Sequence, residues 1–142
     1  MIVLDTTVLA YALGTEHPLR EPSRRLLRAI GEGAVTATTT VDVIQEFVYG
    51  HARRRPRATA AAHARRYVTL LAPLLSPAEA DLAAGLQLFG RQERLDAFDA
   101  VLAATAMAHE AKAFVSADRA FASVRRLPFV ELGSNEFDAL LA

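Results

Sequence analysis

The sequence predicts an α/β fold in which a short, mainly parallel sheet is covered by helices on both faces. Three observations carry that expectation. Short β-branched runs alternate with helical patterns along the chain, and two-residue hairpin signals between the runs are few. The length, 142 residues of which 52% are hydrophobic, suits one compact core and is too small for two. Residues 1–142 are therefore expected to form a single domain, with no repeat, linker or low-complexity tail.

The elements follow in order. Ile2 to Leu4 is an apolar run closed by Asp5-Thr6-Thr7, after which Val8 to Leu13 continues as a helix that Gly14 can end. Pro18 to Ile30 reads as a second helix, with Leu26, Leu27 and Ile30 apolar, Arg20, Arg24, Arg25 and Arg28 toward water, and Gly31 and Gly33 closing it. Ala34 to Thr38 suits a second strand, and Thr39 or Thr40 can cap a third helix through Tyr49. Pro56 breaks that helix, and an Ala/Arg-rich helix follows from about Ala58 to Leu71. Pro73 to Pro77 holds a short buried strand at most, before a helix from about Ala78 to Phe89. The last third repeats the opening: a helix from about Asp96 to Ala111, a strand at Ala113 to Ser116, then Asp118 and a short helix. Phe129 to Leu132 is a final strand and Asn135 to Leu141 a final helical turn or two.

Composition narrows the function. Lys+Arg and Asp+Glu number 16 each, so any attraction to a polyanion must come from local patches. No cysteine occurs, which excludes a disulfide framework, a thiolate metal site and a thiol nucleophile. The opening lacks a basic and long apolar leader, and no apolar stretch approaches the roughly 20 residues needed to span a bilayer. A soluble, cytoplasmic protein with no membrane role is expected.

Four acids stand out. In open parallel sheets ligands bind beyond the carboxyl ends of the strands, where Asp5 and Asp118 both fall. Each is open to two readings, cap of the following helix or ligand of a bound group. Asp96 and Asp99 open an otherwise apolar helix at i,i+3, one face. Asp96 reads as the cap; with that role taken, Asp99 is left as a functional candidate. Glu46 has Asp42 at i−4 and Tyr49 and Gly50 at i+3 and i+4, so no local ion pair is available and its partner must be tertiary. Oxygen ligands without Cys or His suit Mg²⁺ better than zinc. His17, His51, His63 and His109 show no short metal-ligand spacing and read as surface or helix-packing residues. Clustered carboxylates repel one another, so one should carry a raised pKa in the absence of the ion.

With these residues in place the chain resembles a PIN domain, and more narrowly the VapC-type toxin ribonucleases. IVLDTTVLAYAL resembles the family's strand-aspartate-hydroxyl start, TVDVIQEFVYG its glutamate helix, and DAFDAVLAATAMAHEAKAFVSADRAF its aspartate-helix-strand-aspartate signature. The motifs run in order through most of the chain. The resemblance implies a three-layer α/β/α fold, dependence on Mg²⁺ or Mn²⁺, cleavage of single-stranded RNA, a homodimer and a VapB-type antitoxin partner. It implies that Asp5, Glu46, Asp99 and Asp118 are the catalytic acids. Asp5, Asp99 and Asp118 would hold the metal, directly or through water, while Glu46 would hold a second ion or orient the attacking water. Thr7 and Ser116 fall where the family has a hydroxyl steadying a carboxylate or the water, and Asp96 belongs to the same supporting set.

An acidic pocket repels RNA, so basic side chains must draw the phosphates. Arg53, Arg54, Arg55 and Arg57 are the candidates, with Arg65, Arg66 and Arg119 also available, although arginine on an Ala-rich helix also serves simply as a helix former. Competing enzyme readings fare worse. A haloacid-dehalogenase-like phosphotransferase would need a second Asp at position 7, where Thr stands, and a receiver domain would need a late lysine in another context than Lys112. A PIN-fold nuclease of RNA processing and a non-catalytic RNA- or protein-binding module remain as alternatives.

Overall fold

A computed structural model describes residues 1–142. The sheet is built from β1 (Ile2–Leu4), β2 (Ala37–Thr38), β3 (Ala113–Ser116) and β4 (Phe129–Glu131), in the order β2-β1-β3-β4 with every pairing parallel. Ile2 lies opposite Ala37 on one side and Ala113 on the other, and Phe114 lies opposite Phe129. The central strands β1 and β3 are buried at every residue, the signature of strands covered on both faces.

Of the helices α1 (Thr6–Leu13), α2 (Arg20–Gly31), α3 (Val41–His51) and α4 (Arg57–Leu71), α1 packs against both α2 and α3, and α3 packs against α4. The Tyr67 hydroxyl donates to the Leu9 carbonyl at 2.8 Å, tying α4 to α1. Helices α5 (Glu79–Arg91) and α6 (Ala97–Ala108) form a close pair. Gly85 permits it, because a Cβ there would stand 2.7 Å from the Val101 Cα. Helix α7 (Asn135–Leu141) returns against β4 with Phe137 fully buried. No helix is long and apolar enough to cross a membrane.

Several boundaries differ from the sequence expectation, the larger differences for local reasons. The second strand shrinks to Ala37–Thr38 because α2 ends in a turn that uses Ala34 and Val35: both N–H groups reach back to the Ala29 carbonyl, with Gly33 left-handed at φ 75°. Helix α6 stops at Ala108 instead of Ala111. Glu110 takes the left-handed position at φ 53°, and the Ala111 N–H bonds the Ala106 carbonyl. Helix α2 begins at Arg20 rather than Pro18, since the Leu19 N–H is taken by His17 Nδ1. Arg24 is not fully directed to water; its Nε donates to the Ala12 carbonyl at 2.9 Å, closing the end of α1. Between Pro73 and Pro77, where a short strand at most was expected, there is a single parallel bridge, Leu75 beside Thr40.

Candidate active site

The chain turns from strand to helix at Asp5, and its carboxylate is where three donors meet. Asp5 is only 3% exposed, and Oδ2 receives the Ser116 hydroxyl at 2.6 Å, the Thr7 hydroxyl at 2.9 Å and the Thr7 N–H at 3.4 Å. The cap role and the cluster role therefore coexist, with the side-chain donors all on one oxygen. Both hydroxyls also accept from the backbone beyond β3: Thr7 Oγ1 from the Ala117 N–H at 3.0 Å, and Ser116 Oγ from the Asp118 N–H at 2.9 Å. One buried carboxylate and two hydroxyls thus lock the ends of β1 and β3 together.

Asp118, exposed, caps the single 3-10 turn Arg119–Ser123 by accepting from the Ala120 N–H at 2.9 Å. Asp96 caps α6 by accepting the Asp99 N–H at 2.8 Å, which turns Asp99 into the first-turn acid of that helix. Glu46 finds its tertiary partner in Thr6, whose hydroxyl donates to Oε2 at 2.8 Å. Thr6 was not singled out in the sequence; its place beside Asp5 was the available signal. The remaining buried acid, Asp81, is accounted for by capping, since it accepts the Ala78 N–H at 2.8 Å.

Electrostatics shows which acids share a space. Burial first, and then the charges of Asp96, Asp5, Glu46 and Asp118, together push the Asp99 carboxyl up to about 7. Desolvation raises Asp5 as well, against the lowering effect of its bonds from Ser116 and Thr7. Glu46, at the mouth, is raised by partial desolvation and by Asp5 and Asp96, with Thr6 opposing. No basic side chain contributes to any of the three shifts. The pocket is anionic, oxygen-only and without an internal counter-ion, a donor set suited to a hard divalent cation. As placed, no three of the carboxylates stand close enough to share one ion, so binding would require side chains at the rim to turn inward.

Two cavities open beside the acids. One, of about 410 Å³, runs from Glu46 and Asp99 along Val43, Leu82, Leu86 and Phe98. The other lies between Thr6, Glu46, Tyr49 and the loop Arg53, Arg54 and Arg55. Arg57 starts α4 and does not line it. His51 and His63 have the packing role expected of them, joining α3 to α4 through an Nε2 to Nδ1 contact of 2.9 Å.

A parallel sheet with acids gathered at its carboxyl edge defines a class, and the chain belongs to it: the PIN domain family matches residues 2–127. Within that family it belongs with the VapC ribonucleases. It is 54% identical over 125 residues to ribonuclease VapC7 of Mycobacterium tuberculosis, covering 87% of this chain and 86% of that one. Solved structures share the fold at low identity. VapBC2 from Rickettsia felis, bound to a DNA fragment from its promoter, aligns with a TM-score of 0.71 at 17% identity, covering 92% of this chain and 98% of that one. FitAcB from Neisseria gonorrhoeae aligns with a TM-score of 0.70 at 20% identity, covering 91% and 96%.

Proposed function

We propose that this protein is a Mg²⁺- or Mn²⁺-dependent endoribonuclease that cuts single-stranded or loop regions of RNA and acts as the toxin of a toxin-antitoxin pair. What supports the reading is the electrostatic crowding of Asp99, raised by burial and by the charges of Asp96 at the start of its own helix and of Asp5, Glu46 and Asp118 from three other segments, with no basic side chain offsetting them. Asp5, Asp99 and Asp118 are the residues that would hold the ion, directly or through water. A bound divalent cation supplies neutralisation of the transition-state charge and a water acidic enough to attack at neutral pH.

The chain's own residues do the rest. Ser116 and Thr7 fix Asp5 and, through the Asp118 N–H, the approach of the second strand end. Thr6 holds Glu46 by Oε2 only, leaving Oε1 to orient the attacking water or a second ion. In-line attack breaks the bond from phosphorus to the 3′ oxygen, leaving a 3′-hydroxyl and a 5′-phosphate. Arg53, Arg54 and Arg55, none of which has a carboxylate partner in the fold, would draw phosphates toward the Glu46 side, a role supported by their lining the cavity beside it.

The partners follow from the VapC relationship. A VapB-type antitoxin segment with apolar side chains and a basic group would complement the groove from Phe98, Leu82 and Leu86 to Asp99. A homodimer acting in the cytoplasm is part of the same reading. Residues 1–142 act as a single domain on this view, supported by the pairing of β4 with β3 and by buried Phe137 beyond the matched residues. Sequencing RNA ends made by the purified protein with Mg²⁺ or Mn²⁺ tests the function. Cleavage that disappears in Asp118→Asn supports it, and cleavage unchanged in that variant removes these acids from the mechanism.

A further inference from the structure

Tyr49 is the aromatic residue of α3 that the core does not use, Phe47 being buried. It is 68% exposed, one helical turn beyond Glu46, and lines the same cavity as Glu46, Thr6 and Arg53 to Arg55. Single exposed aromatics are ordinary on protein surfaces. This one is held in place. The Arg53 guanidinium carbon lies over the ring, 4.9 Å from its centroid, and Arg53 Nη2 donates to the Tyr49 hydroxyl at 3.1 Å. The loop that carries Arg53 is itself anchored, because Arg55 Nη2 donates to the Leu13 carbonyl at 2.9 Å at the end of α1. Arg54 beside it has no carboxylate partner.

We infer that Tyr49, backed by Arg53, is a stacking platform for an unpaired nucleobase of the RNA, next to the phosphate that is cut. The inference rests on the reading of the protein as an RNA nuclease and adds a substrate-positioning residue to it. Single-stranded RNA is recognised by stacking its splayed bases on aromatic rings and guanidinium planes, with basic groups tracking the backbone. All three components are present within one cavity. With Arg53 over one face and most of the residue exposed, an open ring face remains for a base. The fixed ring also spares the ordering cost that a free side chain would add. Stacking of this kind tolerates any base, so the platform sets the register of the strand relative to Glu46 more than the sequence that is cut.

Binding of a short fluorescent single-stranded RNA, followed by anisotropy, tests this in an Asp118→Asn background without divalent metal, so that cleavage plays no part. Tyr49→Ala and Tyr49→Leu should each weaken binding about tenfold or more, and Tyr49→Phe should stay within about twofold. RNAs carrying one abasic nucleotide at successive positions should reveal a single position whose loss weakens binding to the parent. That position should no longer matter to Tyr49→Ala. RNA bound equally by the parent and Tyr49→Ala, or by neither, overturns the platform and leaves the nuclease reading standing, whereas a wild-type protein that cuts no single-stranded RNA with Mg²⁺ or Mn²⁺ overturns both. Equal weakening by Phe and Leu overturns stacking as the cause.

Discussion

The Ser116 hydroxyl donates to Asp5 Oδ2 across 2.6 Å and accepts the Asp118 N–H at 2.9 Å, so one side chain sets both strand-end acids. Ser116 is fully buried, and no water can replace either bond without a rearrangement. Ser116→Ala should therefore cost about 1–3 kcal/mol of stability, since a buried carboxylate loses a donor and a backbone N–H its acceptor. Cleavage should fall together with stability. Urea unfolding checks the first effect, and an unchanged midpoint would show that the hydroxyl holds nothing.

Asp5→Ala and Asp5→Asn should separate structure from chemistry. Alanine strands the Thr7 and Ser116 hydroxyls and removes the cap of α1, with an expected loss of about 1–3 kcal/mol. Asparagine can present its carbonyl oxygen to the same donors and no longer buries an anion, so thermal stability should hold or rise while cleavage is lost. Activity retained by Asp5→Asn would place the essential acid elsewhere.

The metal-free protein should lose stability as pH rises from about 4 to about 7. Asp99 titrates near 7 in the folded chain and near the ordinary 3.8 once unfolded, so the folded form binds more protons throughout that window. The stabilising contribution is complete below the unfolded pKa and gone above the folded one. Asp5 and Glu46 are shifted in the same direction and add to the trend. Melting curves without metal should show the decline. Mn²⁺ should raise the melting temperature more at pH 8 than at pH 5, where protons compete for the carboxylates. A profile that climbs toward pH 8 without metal would contradict the crowding of these acids.

Glu110→Gly should stabilise the protein by about 1 kcal/mol without changing cleavage. Glu110 occupies the left-handed position that ends α6, where a side chain is disfavoured and glycine is not. It has no bond in the cluster and lies at the other end of α6 from Asp99. Chemical denaturation and the RNA assay together read the two halves of this prediction.

Where local chemistry decides structure, the sequence was legible. The strand Ala113–Ser116 and the helix Asn135–Leu141 lie where their patterns put them, and Asp96 caps α6 as its position before an apolar helix suggested. The missed boundaries are set locally, by contacts that carry no signature in residue type or periodicity. Glutamate carries no signal for a left-handed residue, so the end of α6 at Ala108 could not be read. The bond from His17 to Leu19 likewise leaves no periodicity behind.

By itself the sequence determined the order of elements, singled out Asp5, Glu46, Asp99 and Asp118 as candidates, and carried a resemblance to the family that the comparisons then showed. Capping, period and turn chemistry act within a few residues, and those are features a single chain displays. Only the tertiary structure decided what each acid meets: Thr6 for Glu46, Ser116 and Thr7 for Asp5, and mutual repulsion for Asp99. It also decided that Tyr49 and Arg53 stand together beside Glu46. The energies of a carboxylate are set by burial and by neighbours as far as 111 residues away along the chain, and those exist only once the strands are side by side.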